Sequence, residues 1–154
     1  MNIKIRPLTE EDAKISYKWR NDPEVFSSTG AHYDHEITLE DEANWLKKVI
    51  TNKDEYRCAI LVDNEYIGNI YLTDIANGSA TYHIFIGNKL YWGKGIAKEA
   101  SRQIIEYGFE VLHLDEINLK VKHDNSRAYH LYKKLGFQEY DQDELWLSMK
   151  LKSK

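Results

Sequence analysis

Two glycines stand one residue apart where a strand-like segment gives way to a helical pattern. Gly93 and Gly95 follow the strand-like residues 79–86 and precede residues 97–112, whose small and apolar side chains recur at helical spacing. Such a loop leaves backbone N–H groups exposed at the start of a helix, where the helix dipole favours negative charge. The sequence therefore predicts a phosphate-binding loop that joins a strand to a helix.

Strand and helix patterns alternate on both sides of this loop. The three middle strands are separated by turns at residues 63–65 and 76–78, and neither turn is an ideal two-residue hairpin signal. The order β-α-α-β-β-β-α-β-α-β-β predicts a single α/β (α+β) domain over residues 1–154, in which about four helices flank a mixed, mostly antiparallel central sheet. Strands are predicted over residues 2–6, 56–62, 66–72, 79–86, 116–122, 137–140 and 145–151, and helices over 9–21, 38–50, 97–112 and 126–135.

The composition is that of an ordinary globular protein, with 42% apolar and 30% charged residues. The net charge of −4 gives no reason to expect a nucleic-acid partner. The single cysteine, Cys58, lies among apolar residues, which favours a buried thiol. The N-terminus lacks the apolar core of a signal peptide and no run reaches membrane-spanning length, so we expect a cytoplasmic protein without a membrane partner.

The two glycines can be interpreted as part of any of three kinds of phosphate-binding loop. A nucleotide P-loop needs Gly-x-x-x-x-Gly-Lys-Ser/Thr, which the chain lacks. A dinucleotide fingerprint needs a third glycine after Gly95, but the residues around Glu99 supply none, and the loop follows three successive strands instead of opening a βαβ unit. A pyrophosphate loop for coenzyme A is the third interpretation.

Two segments carry a family resemblance that favours coenzyme A. Residues 92–97 match the pattern Arg/Gln-x-x-Gly-x-Gly/Ala, and residues 125–137 match Asn-x-x-Ala-x-x-x-Tyr-x-Lys-x-Gly-Phe. In this order and at this spacing, the two segments resemble those of the GNAT superfamily of acyl-CoA N-acyltransferases. One position departs from the pattern, since Trp92 stands where the family often has Arg or Gln. Backbone N–H groups do most of the phosphate binding in such loops, and Lys94 supplies a positive charge.

The resemblance implies a GNAT-like fold, acetyl-CoA as co-substrate and no metal. Strands 79–86 and 116–122 would splay apart, and main-chain groups of the first strand would pair with the pantetheine arm between them. The loop would hold the pyrophosphate, Asn125 would contact the cofactor, and Tyr129 would either pack or touch it. The implied cofactor contacts are Ile84, Phe85, Ile86, Trp92, Gly93, Lys94, Gly95, Ile96, Ala97, Asn125, Tyr129 and Tyr132.

Two residues are candidates for proton transfer. Tyr132 matches the family tyrosine that faces the CoA sulfur and would act as general acid, although a core aromatic on an amphipathic helix is the alternative. The family often places an acidic base near the start of the strand before the loop, and residues 80–86 contain none. His83, which shares a strand face with Thr81 and Phe85 and titrates near neutrality, is therefore our candidate base. A water chain without a single base is the other possibility.

The acceptor is an amine whose identity the sequence leaves open. Residues 19–25 and 38–46 resemble the branch that holds ribosomal-protein N-terminal, spermidine and nucleotide-amino-sugar acetyltransferases. The polar segment 24–37 is predicted to shape the acceptor site, with His32, His35 and Glu36 as candidate contacts and alternative bases.

The sequence has no dense cluster of acidic residues that would indicate a polyamine site. A nucleotide-linked amino sugar is therefore our first hypothesis for this primary-amine acceptor. A ribosomal-protein N-terminus, a polyamine and a non-catalytic, CoA-binding regulatory domain are the alternatives. Whether the protein is a monomer or a homodimer stays open.

Overall fold

A twisted sheet of seven strands organises the computed structural model, which describes residues 1–26 and 35–154. The strands are β1 (Ile3–Pro7), β2 (Tyr56–Val62), β3 (Glu65–Ala76), β4 (Ser79–Ile86), β5 (Glu116–Lys122), β6 (Gln138–Gln142) and β7 (Trp146–Lys152). The helices are α1 (Ala13–Arg20), α2 (Pro23–Phe26), α3 (Leu39–Ile50), α4 (Ile96–Glu110) and α5 (Ser126–Lys134), with 3-10 turns at Glu10–Asp12 and Lys89–Tyr91. The predicted α/β order is confirmed.

The short helix α2 was not expected from the sequence. It begins at Pro23, a residue that fits the first helical position because it has no N–H to satisfy. The side chain of Asp22 accepts a hydrogen bond from the N–H of Glu24 at 3.0 Å. The start of the segment 24–37, predicted as irregular, is therefore helical.

The strand order β1-β2-β3-β4-β5-β7-β6 confirms a mixed and mostly antiparallel sheet. Among the strands of the described residues, only β4 and β5 are parallel neighbours. These two strands pair over three residues each, from Ser79–Thr81 to Glu116–Asn118, and then separate. A gap therefore opens inside the sheet beyond Thr81, as the family resemblance predicted.

Both hairpins among the middle strands have two-residue turns. Asp63 and Asn64 connect β2 to β3, while Asn77 and Gly78 connect β3 to β4, and all four residues have positive φ angles between 49° and 77°. Two consecutive left-handed residues give a turn whose twist matches that of the strands. Asn77-Gly78 is the Asn-Gly pair that is typical of such a turn, so the expectation that neither turn is an ideal hairpin signal was wrong for this one, whereas Asp63-Asn64 forms the same kind of turn without a glycine.

The sheet separates two different cores because successive side chains of a strand point to opposite faces. On one face, α4 and α5 cover an apolar core that includes Ile70, Ile104 and Phe137. On the other face, α1 and α3 cover a core with Trp19 and Phe85. No helix in the described part of the chain is long and apolar enough to cross a membrane.

Candidate active site

A cavity of about 790 Å³ lies where β4 and β5 separate. It joins both faces of the sheet, because its walls include Phe26 and His83 on the α1/α3 side and Asn125 and Tyr132 from α5 and its cap. After the roles that the family resemblance implies, we call the α1/α3 part the acceptor side and the α4/α5 part the donor side. The described residues that line the cavity are Arg20, Phe26, Glu55, Arg57, Tyr71, Thr73, Asp74, Thr81, Tyr82, His83, Ile84, Phe85, Asn118, Leu119, Lys120, Val121, Asn125, Tyr132, Tyr140 and Trp146.

His83 projects from β4 into the acceptor side of the cavity. Its Nε2 lies 3.0 Å from Oγ1 of Thr73 on the neighbouring strand, and this hydrogen bond fixes the ring. If Nε2 carries the proton and donates it to Thr73, Nδ1 keeps its lone pair and can accept a proton.

The surroundings of His83 keep its imidazole neutral. The side chain is open to the cavity, but protein atoms pack around it, and this desolvation lowers its pKa below the ordinary value. The positive charge of Arg57 lowers the pKa further, while Asp74 and Glu55 raise it. A neutral imidazole at physiological pH is the form that a general base requires.

Tyr132 reaches the cavity from α5, although only 8% of its surface is exposed. Its ring packs edge-on against Tyr82, with centroids 5.6 Å apart, and the Tyr82 hydroxyl hydrogen-bonds Oγ of Ser101 at 2.5 Å. Burial raises the pKa of Tyr132 to about 12. The phenol therefore keeps its proton at neutral pH, as a general acid must.

The glycine loop forms an open cradle at the start of α4. Gly93 and Gly95 have left-handed φ angles of 75° and 78°, which favour glycine, and Gly95 caps the helix. A Cβ atom built on Gly95 would meet no atom within 4 Å. One built on Gly93 would lie 3.7 and 3.9 Å from the two terminal nitrogens of Arg127. The loop thus combines exposed backbone, a helix N-terminus and a guanidinium group, which suit a pyrophosphate.

Trp92 ties this loop to the end of β4. Its indole Nε1 donates to the main-chain oxygen of Ile86 at 2.8 Å. Lys94, like Trp92, is exposed, whereas Ile96 is buried and Ala97 is half-buried at the start of α4. The tryptophan at the position of the family's Arg or Gln therefore fastens the loop to the strand beside the gap.

The pairing of β3 with β4 decides which main-chain groups face the gap. The N–H of Gly87 donates to the oxygen of Ile67 on β3 at 2.8 Å. Orientation alternates along an antiparallel strand, so the main chain of Phe85 also faces β3, while those of Ile84 and Ile86 face the gap. Phe85 therefore differs from the prediction, because it contributes its ring to the cavity wall instead of its main chain.

Asn125 and Tyr129 occupy different surroundings at the start of α5. Asn125 lines the cavity, and its side-chain oxygen accepts from the N–H of Ala128 at 3.2 Å, which caps the helix. Tyr129 is half-buried against the apolar core, and its hydroxyl donates to Glu139. It is not among the described residues that line the cavity.

A buried ion pair builds the acceptor side. Glu42 of α3 is only 2% exposed, and its carboxylate accepts from Oγ of Ser16 at 2.6 Å and from Nε of Arg20 at 3.2 Å. The guanidinium carbon of Arg20 lies 4.5 Å from the ring centre of Trp45 and 5.4 Å from that of Phe85. These contacts hold Arg20 at the cavity wall.

The residues predicted from segment 24–37 to contact the acceptor are not brought to this cavity. His35 and Glu36 are exposed, and neither is among its described lining residues. His32 lies outside the described residues. The hydrogen bonds of Asn21 with the main chain of Ile37, at 2.7 and 2.8 Å, fasten this segment to the end of α1.

Sequence reasoning missed three arginines at the site. Arg20 and Arg127 lie inside the segments that carried the resemblance, so their positions in those motifs were available as signals. Arg57 had no local signal, because it is a single charged residue inside strand β2 and only the sheet register brings it to the cavity. Among residues 1–26 and 35–154, no group of three or more His, Cys, Asp or Glu residues is placed to hold a metal ion.

A split sheet with a glycine cradle at one end of the gap defines an acyl-CoA-dependent transferase. The model of the acetyltransferase (GNAT) domain family matches residues 2–138. The chain is also 32% identical over 139 residues to spermidine N(1)-acetyltransferase from Escherichia coli K12, an alignment covering 88% of this chain and 73% of that protein.

Two further relatives agree with this assignment. Acetyltransferase PseH from Campylobacter jejuni strain 81-176 is 28% identical over 145 residues, which cover 92% of this chain and 88% of that protein. The crystal structure of spermidine N-acetyltransferase from Vibrio cholerae in complex with CoA and spermine superposes with a TM-score of 0.88 at 23% identity, covering 97% of this chain and 95% of that chain, and it shows the shared fold. The chain belongs to the GNAT acetyltransferase family and is an N-acetyltransferase that uses acetyl-CoA as co-substrate.

Proposed function

We propose that this enzyme acetylates the primary amine of a small cytoplasmic molecule, with a nucleotide-linked amino sugar as its preferred acceptor. The observation that carries the proposal is the cavity at the split of the sheet, with His83 on one side and Tyr132 on the other. The acceptor enters on the α1/α3 side and acetyl-CoA on the α4/α5 side.

The donor side suits the thioester substrate. The N–H groups of residues 93–97 and the guanidinium of Arg127 hold the pyrophosphate, and the pantetheine arm pairs with the main chains of Ile84 and Ile86. A main-chain N–H of β4 polarises the thioester carbonyl and stabilises the developing oxyanion.

Proton transfers complete the reaction. The amine nitrogen attacks the carbonyl carbon, forming a C–N bond as the C–S bond breaks. Nδ1 of His83 takes the proton that the amine loses, since Thr73 occupies Nε2. The Tyr132 hydroxyl gives its proton to the departing CoA thiolate, and solvent restores both groups.

The charges of the cavity support an acceptor that is not a polycation. Among the described lining residues, Arg20, Arg57 and Lys120 are basic, whereas Glu55 and Asp74 are acidic. A polyamine with several positive charges is poorly matched by such a wall, because like charges repel in a partly desolvated cavity. A sugar with a phosphate group and one amine fits the mixture better.

Polyamines are the second candidate. The identity of 32% to spermidine N(1)-acetyltransferase from E. coli K12 favours them, as do the carboxylates of Glu55 and Asp74 beside His83. The same cavity would then bind a second ammonium group of the acceptor at these two carboxylates.

A panel of acceptors tests both candidates. CoA release is measured with UDP-linked amino sugars, spermidine, spermine and peptides with free N-termini, each against its N-acetylated form, which sets the background hydrolysis. We expect the highest kcat/KM with a nucleotide-linked amino sugar. Activity with polyamines alone would contradict the amino-sugar hypothesis and support the polyamine hypothesis. Activity with peptides alone would contradict both hypotheses.

A further inference from the structure

We propose that Arg57 is a specificity-determining residue that binds an anionic group of the acceptor, either a phosphate or a carboxylate. This inference rests on the proposed function, because it assigns to the acceptor side of the same cavity one chemical group that the acceptor must carry.

The guanidinium of Arg57 is held rigidly at the cavity wall. Its Nε donates to Oε1 of Glu55 at 2.7 Å, and only 13% of the Arg57 side chain is exposed. Its guanidinium carbon lies 4.2 Å from the ring centre of Tyr71 and 4.9 Å from that of Trp45. An arginine fixed in this way has lost its side-chain freedom before any ligand arrives, so binding incurs little further entropic cost.

The two terminal nitrogens of Arg57 are available to a ligand. Within the described residues, neither makes a hydrogen bond, and no fully buried side-chain nitrogen or oxygen there lacks a partner. Both terminal nitrogens therefore keep some accessible surface, and Arg57 is one of the residues that line the cavity. Glu55 occupies only Nε, which leaves the two terminal N–H groups as a fork for two oxygens of a phosphate or carboxylate.

The sheet register places this fork at a useful distance from the candidate base. Arg57 pairs with Tyr71 on β3, and Tyr71 pairs with His83 on β4, so the three residues form one row on the same face. Neighbouring strands lie about 4.8 Å apart, which separates the Arg57 and His83 backbones by roughly 10 Å. A single small acceptor can thus present its amine to His83 and an anionic group to Arg57.

Substitution of Arg57 tests this assignment through matched acceptors. Arg57→Gln, Arg57→Lys and wild type are compared with glucosamine 1-phosphate against glucosamine, and with alanine against alaninamide; Arg102→Gln, on the exposed surface of α4, is the control. We expect wild type to show at least a tenfold lower KM for the anionic member of one pair. Arg57→Gln should remove this difference while the KM for acetyl-CoA stays as in wild type, and Arg57→Lys should partly restore it.

The two pairs distinguish the source of the anion, since a preference confined to the first pair identifies phosphate and one confined to the second identifies carboxylate. An equal increase in KM for the charged and neutral members in Arg57→Gln would overturn the proposal, because it would reveal a purely structural role. Absence of any preference in wild type would overturn it as well.

A binding experiment separates this inference from the proposed function. Inorganic phosphate and acetate ion are each added to CoA-saturated enzyme, and the melting temperature is recorded. Protection of wild type and Arg102→Gln by one of these ions, but not of Arg57→Gln, supports the anion site even if no amine in any panel is acetylated. Equal protection of all three proteins, or none, contradicts it even if acetylation is found.

Discussion

The two sides of the sheet differ in their buried side chains, which are mostly apolar on the donor side and partly polar on the acceptor side. The donor side rests on an almost wholly apolar core, in which side chains such as Ile70, Ile104 and Ile117 are 0% exposed. The acceptor side contains buried polar groups, among them Glu42 at 2% and Asn69 at 1% exposure. Side-chain hydrogen bonds and cation–π contacts therefore hold the acceptor side in place, while close packing holds the donor side.

This difference follows from what each side must recognise. The donor side presents a glycine loop and strand main chain, whose hydrogen-bonding groups do not depend on side chains. The acceptor side presents side chains, and under the proposed function their charges select the acceptor. Buried polar networks specify one arrangement when all their members are satisfied, and no buried side-chain nitrogen or oxygen in the described part of the chain lacks a hydrogen-bond partner.

The largest expected effect concerns the base on the acceptor side. Replacing His83 by Gln should lower kcat by about 10²- to 10⁴-fold, which is the usual contribution of a general base. In wild type, activity falls as His83 becomes protonated, and its lowered pKa moves that loss to a pH below the ordinary histidine value of about 6.5. The pH–rate profile of His83→Gln should lack this acidic limb.

Tyr132→Phe on the donor side is the matched comparison for this experiment. It should lower kcat and keep the acidic limb, because the base is intact. The pKa of about 12 leaves the tyrosine protonated throughout the neutral range, so wild type should show no alkaline loss from this group near pH 8. An unchanged acidic limb in His83→Gln would remove His83 from the mechanism.

The next largest effect concerns stability on the acceptor side. Glu42→Ala removes the buried carboxylate that binds Arg20 and Ser16, and removing one member of a buried ion pair costs about 3–5 kcal/mol. Urea unfolding should show this loss in the free energy of unfolding. Glu42→Gln, which keeps an oxygen for Ser16, should lose less. Equal stability of Glu42→Ala and wild type would show that the network does not hold this side together.

The smallest effect concerns an exposed residue of the donor side. Arg127→Gln removes the guanidinium beside Gly93, so the KM for acetyl-CoA should rise about tenfold, within the range for one hydrogen bond to a charged group. The KM for the acceptor amine should not change. Steady-state kinetics measure both KM values, with Arg102→Gln as the control. A rise in the acceptor KM alone would contradict the prediction, because it would assign Arg127 to the acceptor side of the cavity.

The order of elements could be predicted from the sequence because it depends on local patterns. The helix α3 follows a capping box between Thr38 and Asp41, and α5 follows its cap Asn125, both visible in the sequence. The two-residue turn at Asp63 and Asn64 has a weaker sequence signal, because it lacks the glycine that usually marks two left-handed residues. Local sequence patterns therefore predict the order of helices and strands but not the length of each turn.

The residues of the candidate site also fall into two groups, those in a local sequence motif and those that only the sheet register brings together. The cradle and Tyr132 could be predicted because each lies in a short continuous motif. Arg57, Thr73 and His83 come from three different strands, and only the register of the sheet brings them together. Long-range pairing of this kind has no signature in one sequence, so the acceptor side needed the structure.

The three-residue seam between β4 and β5 leaves two unpaired strand edges inside the molecule. Proteins usually shield such edges, because free N–H and C=O groups invite other chains to add a strand and aggregate. Here both edges line the cavity at the split of the sheet, so any chain that pairs with them must enter that cavity. Under the proposed function, that chain is the extended, amide-bearing arm of acetyl-CoA, and the enzyme would thus use two open strand edges, a common cause of aggregation, to bind its co-substrate.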